Sequence, residues 1–366
     1  MDIEKVRSAV DKFSSGKYEV VDFLCSGAFA DVYIIRHLFL DDLRVLKIVK
    51  SSLSSESIIN NILQEVRIIS PLNHENIISI HDAGIFTVDS QERIYFIMEY
   101  NPGGDLYRYL CSFINSDMSV PIFWTLDLIK QLCFGLNVLH ASSPSIIHGD
   151  LNLNNILIGF NSQDRVVFKL SDFGFAKILS GENKKFPIAG TKPFMAPECF
   201  KKEFYPSTDI YSLGVIFYIC LTNHFPYNVN KYTLSEICEG KPWNEDLILP
   251  SYYNNDVSEQ LDEIVIKCLS YDYENRFRDA KDLFDSLGDV FKIYSGYDES
   301  HMLINSIKKA LRLAKYENKK SEAMEILDEY DLSFLLDDEN EETADKTLSL
   351  ENISDILDWR GKIQNE

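Results

Sequence analysis

The stretch Ile147-His148-Gly149-Asp150-Leu151-Asn152-Leu153-Asn154-Asn155-Ile156-Leu157-Ile158 constrains this chain more than any other part of it. Asp150 follows a turn-forming glycine, and Asn155 stands five residues further on, just ahead of an apolar strand. An aspartate and an asparagine held this way can serve two ends of one reaction. The carboxylate can take a proton from an attacking hydroxyl, and the amide oxygen can bind a metal. Seventeen residues past Asn155 comes Asp172-Phe173-Gly174, after the apolar run Val166-Val167-Phe168-Lys169-Leu170. That offers a carboxylate to a second metal position. Magnesium demands hard oxygen ligands and commonly bridges a few protein groups to substrate phosphates.

The two loops, in this order, resemble those of the protein-kinase family. The resemblance implies an α+β, bilobal fold with a small strand-rich N-lobe, a mainly helical C-lobe and, here, a helical C-terminal extension. It covers residues 16–293, divided into an N-lobe over 16–98, a hinge over 99–104 and a C-lobe over 105–293. An N-terminal arm, 1–15, and an acidic extension, 294–366, flank it.

Along the chain, Ile3, Val6, Val10 and Phe13 recur at helical spacing and predict a short amphipathic helix. Tyr18 to Leu24 and Asp31 to Arg36 read as strands around Cys25-Ser26-Gly27-Ala28-Phe29-Ala30. This strand–turn–strand resembles the kinase glycine-rich loop, whose amides cover nucleotide phosphates. Gly27 alone remains of the family's three glycines, with Cys25 and Ala30 at the first and third positions. Both are small, so the backbone can still approach a phosphate, and the loop is expected to be stiffer than usual. Arg44 to Val49 is the next strand. Lys47 sits there among apolar residues, where a buried ammonium requires an anion. Glu65 is a plausible partner, on a helix expected from Ser54 or Ser57 to Ser70 and ended with the help of Pro71. Ile94 to Tyr100 is a strand signal broken by Asn101-Pro102-Gly103-Gly104.

From Asp105 the period is helical. Pro121 to His140 is a long helix with Ile122, Leu126, Ile129, Leu132, Cys133, Leu136 and Leu139 as its stripe. Ser207 opens an apolar helix containing Asp209, Leu261 to Leu269 is another, and helices continue to Ile293.

The family resemblance carries roles with it. Lys47 is implied to grip the α- and β-phosphates of ATP and Glu65 to orient it. Asn155 and Asp172 are implied to hold Mg²⁺, with Mn²⁺ as an alternative. Asp150 is implied to orient the acceptor hydroxyl and accept its proton. Cys25, Gly27, Ala28, Val32, Val45, Met98, Glu99, Tyr100 and Leu157 match positions around the nucleotide. Met98 is implied at the back of the pocket, and Glu99 and Tyr100 are implied to offer backbone groups to adenine. Ala189 to Glu198 resembles the peptide-positioning loop of serine/threonine kinases, with Thr191 bridging Asp150 and the catalytic-loop region. Asp209 matches the buried aspartate that holds the catalytic loop, and Arg276 the arginine that pairs with Glu198. A protein substrate with a serine or threonine acceptor is the implied partner.

Two departures matter. Gly149 stands where many protein kinases have an arginine that receives an activation-segment phosphate, so such phosphorylation is not expected to be the on-switch. Asn152 stands where most serine/threonine kinases carry a lysine near the γ-phosphate, and an amide supplies no charge. Three readings stay open: a serine/threonine protein kinase, a catalytically dead kinase fold that binds nucleotide or partners, and a small-molecule phosphotransferase. The last enters because His148-Gly149-Asp150 is also similar to the loop of aminoglycoside and choline phosphotransferases. The Ala189 to Glu198 segment favours the first.

The net charge of −21 repels nucleic acid and anionic membranes, so neither is an expected partner. Residues 321–366 hold 15 acidic and 3 basic side chains. Asp337 to Asp345 reads as a disordered acidic loop. It is flanked by helical patterns at Met302 to Lys320, Ser321 to Tyr330 and Leu350 to Trp359. The last is expected to dock on the kinase or on a separate partner. Lys184 and Lys185 offer this tail opposite charge. Seven cysteines without CxxC spacing read as neither a disulfide framework nor a zinc site. A reducing, cytoplasmic setting is expected. Met1-Asp2-Ile3-Glu4 is acidic and unlike a secretory signal. No apolar run reaches the roughly 18 residues of a membrane span. The best candidate, Tyr211 to Leu221, reads as a buried helix.

Overall fold

The computed structural model describes residues 3–27, 30–50, 68, 70–88, 91–115, 120–162, 165–174, 176–179 and 190–294. Ala28, Glu65 with its helix, Lys184, Lys185 and all of the extension after Tyr294 lie outside the described residues. The chain divides into two compact units, Met1–Asn101 with Asp172–Gly174, and Pro102–Ser171 with Phe175–Glu366. The first is strand-rich and the second mainly helical, the α+β, two-lobed division of a kinase-like fold.

In the first unit β1 (Tyr18–Ser26), β2 (Ala30–His37), β3 (Asp42–Val49), β4 (Ile80–Val88) and β5 (Gln91–Glu99) form one antiparallel sheet in the order β1-β2-β3-β5-β4. β4 has weak alternation at its start, Ile80-His81-Asp82-Ala83-Gly84, and its pairing with β5 holds it in the sheet. Because side chains alternate across a strand, the sheet has two chemically different faces. One carries Tyr33, Ile35, Leu46, Ile48, Tyr95 and Ile97, packed with α1 (Ile3–Ser14). The helix forms as its spacing predicts: Val6 and Val10 are fully buried, and the Phe13 ring lies 4.8 Å from that of Tyr95. Burying each valine contributes about 1.5–3 kcal/mol. The opposite face carries the cross-strand row Cys25, Val32, Lys47 and Phe96, with Val45 opposite Met98 beside it.

The second unit contains α2 (Leu106–Asn115), α3 (Ile122–His140), β6 (Ile146–Ile147), β7 (Ile156–Phe160), β8 (Val166–Leu170) and β9 (Lys177–Ile178). α4 (Pro206–Thr222), α5 (Glu259–Cys268), α6 (Ala280–Ser286) and α7 (Gly288–Tyr294) follow, with short helical turns between them. The apolar stripe read for α3 is buried throughout. α3 corrects one expectation, being long and apolar enough to cross a membrane by length and composition. Most of it is buried against α4, α6 and β8, so its apolar surface is used in this unit's core. α4, which contains Tyr211 to Leu221, is the expected buried helix, with Pro206 in its first turn and a left-handed Asn223 closing it.

Candidate active site

β6 leads into the loop that holds Asp150, and the 3₁₀ turn Leu153–Asn155 leads out of it into β7. Gly149 has φ +76°, a left-handed conformation that a residue with a Cβ adopts only at a cost. The loop is pinned by Asp209 on α4. One carboxylate oxygen accepts from the His148 amide at 2.8 Å and the other from the Gly149 amide at 3.0 Å. His140 Nε2 lies 3.0 Å from Asp209 Oδ2, while its Nδ1 accepts from the Ala280 amide at 3.2 Å. A ring nitrogen that accepts a backbone N–H carries no proton, so the proton sits on Nε2 and is donated to Asp209. Burial alone would raise the Asp209 pKa, but the hydrogen bonds it accepts, from His140 and from the Gly149 amide among others, outweigh it and leave it lowered.

Asp150 is held from both sides. Its Oδ1 accepts from the Thr191 amide at 2.9 Å and the Thr191 hydroxyl at 3.0 Å, and its Oδ2 accepts from Asn155 Nδ2 at 3.1 Å. Asn155 Nδ2 also donates to the Asp150 carbonyl at 2.8 Å. With its nitrogen committed, the Asn155 amide offers its oxygen to a ligand. Asn152 is 1% exposed. Its Nδ2 donates to the Asp150 carbonyl at 3.1 Å and to Thr191 Oγ1 at 3.2 Å, and its Oδ1 accepts from the Asn154 amide at 3.0 Å. Asn152 therefore fixes the rotor of the hydroxyl that donates to Asp150. Leu157, on β7, pairs with Lys169 and bridges to Asp105.

Glu198 and Arg276 fix the end of the Thr191 segment. Arg276 donates to the two Glu198 oxygens at 2.8 and 2.9 Å and spends its remaining donors on the carbonyls of Ser207, Ser270 and Tyr271. Lys177 went unnoticed in the sequence. It is 4% exposed, pairs with Ile147 across β6 and β9, and sets its ammonium 5.2 Å from the Phe204 ring. Burial lowers its pKa, against the charges of Asp150 and Asp209.

In the first unit, Lys47 Nζ lies 3.5 Å from Asp172 Oδ1. Asp172 has φ +59°, uncommon for a non-glycine residue. Met98 packs beside Val49, Ile94 and Phe96. The Glu99 amide donates to the Ser79 carbonyl at 3.1 Å, so that N–H is committed within the fold. Burial and the charge of Asp22 raise the Tyr100 pKa. Asn101 falls in the segment that breaks the strand and within the expected hinge, 99–104. It is buried, and its Nδ2 has no hydrogen-bond partner among the described residues. Among those residues no group of three His, Cys, Asp or Glu side chains could hold a metal ion. Asn155, in the second unit, carries an amide oxygen and Asp172, in the first, a carboxylate; each is a hard oxygen donor of the type magnesium accepts.

The protein kinase domain family matches residues 18–286. The chain belongs to that family. It is 30% identical over 288 residues to the Saccharomyces cerevisiae Aurora kinase, covering 77% of this chain and 68% of the relative. The serine/threonine-protein kinase ATG1a of Arabidopsis thaliana is 31% identical over 218 residues, 59% of this chain and 33% of the relative. The Mycobacterium leprae serine/threonine-protein kinase PknB is 26% identical over 287 residues, 77% of this chain and 44% of the relative. The chain thus spans a third of the plant protein and less than half of the mycobacterial one.

Proposed function

We propose that this protein is an ATP-dependent serine/threonine protein kinase that transfers the γ-phosphate to a protein hydroxyl. The observation that carries the reading is the fixed Asp150 carboxylate, held by Thr191 on one oxygen and Asn155 on the other. Thr191 comes from the segment that resembles a peptide-positioning loop, which favours a protein acceptor over a small molecule.

Phosphoryl transfer asks for positioning and charge neutralisation more than for covalent catalysis. Lys47 binds the α- and β-phosphates, and Glu65 orients it. Asn155 and Asp172 would hold Mg²⁺, or Mn²⁺ in its place, and the ion neutralises phosphate charge when bound. Asp150 orients the acceptor hydroxyl and accepts its proton. Cys25, Gly27 and Ala28 cover the phosphates. Val32, Val45, Met98 and Leu157 enclose the base. Glu99 serves adenine through its carbonyl, its N–H being committed to Ser79, and Tyr100 offers its own backbone groups. The kinase domain occupies 16–293, and the acidic extension docks on it or on a partner. Seven free thiols suit a reducing, cytoplasmic setting.

A second reading, nucleotide binding without transfer, draws on Asn152, whose amide hydrogens both serve the fold. Incubating the full chain with ATP, Mg²⁺ and a panel of protein substrates, then identifying the phosphorylated residue, separates the readings. Phosphoserine or phosphothreonine supports the first. Nucleotide binding with no transfer to protein supports the second, and phosphorylation of small molecules alone overturns both.

A further inference from the structure

The turn between β1 and β2 has one glycine where relatives are expected to have three, and its two ends are hydrogen-bonded to each other. Gly27 donates its amide to the Ala30 carbonyl at 2.9 Å. Just outside the turn, Ser26 and Asp31 are cross-strand partners, and the Ser26 hydroxyl donates to Asp31 Oδ1 at 2.7 Å. Lys50, one residue past β3, reaches over both. Its ammonium donates to Ser26 Oγ at 2.7 Å and to the Gly27 carbonyl at 2.5 Å, and lies 3.5 Å from Asp31 Oδ1. Three strands are thereby tied at one point.

Two features give this cluster a purpose. The pairing of β1 with β2 shifts register between Val20 and Asp22 and again between Phe23 and Cys25. A strand interrupted twice has poorly specified register at its far end, and a fixed contact there restores it. The cluster also lies on the side away from Lys47. Asp31 pairs with Ile48, whose side chain belongs to the face covered by α1, whereas Lys47 pairs with Val32 on the opposite face. The contact leaves the Lys47 face clear.

We propose that Lys50, Ser26 and Asp31 form a latch that fixes the β1–β2 turn from behind and so sets how tightly nucleotide phosphates are held. Lys50 is a positioning residue and touches no phosphate. The inference rests on the nucleotide-binding reading above.

The test uses the full chain and ATP with Mg²⁺, with affinity measured calorimetrically beside steady-state kinetics and thermal melting. Lys50→Met weakens ATP binding about fivefold, the scale of one charge-assisted hydrogen bond at a partly exposed site. It raises KM for ATP by the same factor and leaves KM for the protein substrate and Tm unchanged. Ser26→Ala acts in the same direction, and the double variant is no worse than Lys50→Met because both remove one shared contact. ATP affinity of Lys50→Met within about twofold of wild type overturns the latch. Should Lys50→Met not fold, unchanged affinity in Ser26→Ala overturns it instead. Wild type that binds ATP but transfers no phosphate contradicts the kinase reading and leaves the latch measurable, whereas wild type that binds no ATP overturns both.

Discussion

Thr191 donates twice to one oxygen of Asp150, from its amide at 2.9 Å and its hydroxyl at 3.0 Å, across a sequence separation of 41 residues. The amide contact survives any substitution except proline, and the hydroxyl contact does not. Thr191→Ala is therefore expected to lower kcat/KM about tenfold, the loss of one hydrogen bond to a charged group, with Thr191→Ser close to wild type. Steady-state kinetics on the three proteins checks this.

Asn152 invites restoration of the family's lysine, and the structure argues against success. Asn152 is buried, with two hydrogen bonds inside the loop, to the Asp150 carbonyl and from the Asn154 amide, and a third to the Thr191 hydroxyl. Asn152→Lys replaces them with an ammonium in the same space. We expect roughly 2–3 kcal/mol of lost stability and no gain in kcat. Urea unfolding and kcat measured side by side provide the check.

Gly149→Arg forces a side chain into φ +76°. That costs about 1–2 kcal/mol of backbone strain. Wild type, having no arginine here, should keep its activity after phosphatase treatment. A large loss on dephosphorylation, with the phosphate located in the activation segment, would count against it.

Asp209 accepts from three N–H groups with two oxygens. In Asp209→Asn an amide N–H must face at least one of those donors, costing about 2 kcal/mol or more near neutrality. Because the folded pKa is lowered from 3.8, ionisation of Asp209 stabilises the fold above that value, and the contribution is lost as pH falls through the lower folded pKa. The stability gap between wild type and variant should stay constant from neutrality down to about pH 4 and narrow below it. Chemical unfolding at a series of pH values measures the gap.

Arg276 and Glu198 meet in a fully buried pair across 78 residues. Removing one partner strands the other charge, so Glu198→Gln or Arg276→Met should cost about 3–5 kcal/mol. The unfolding midpoint in urea should fall for each, and the double variant should cost less than the two single losses combined.

Much of this was legible in the residues themselves. The spacing of Ile3, Val6, Val10 and Phe13 predicts α1, and the stripe from Ile122 to Leu139 predicts α3, because burial on one face writes a period into the sequence. Asp150, Asn155, Asp209 and Arg276 stood out by motif. What packs against α1 was not legible, since nothing in its sequence names Phe86 or Tyr95 as neighbours. The same holds for His140, whose partners Asp209 and Ala280 are 69 and 140 residues away. Lys50 and Lys177 look like ordinary surface lysines in sequence, and only the pairing of strands shows where each ammonium goes.

The most direct measurement is phosphate transfer from ATP to protein by wild type and Asp150→Asn, with ATP affinity determined for both. The expected result is transfer to serine or threonine by wild type, its near-complete loss in the variant, and similar ATP affinity in the two. Equal transfer by Asp150→Asn and wild type would contradict the role given to this carboxylate.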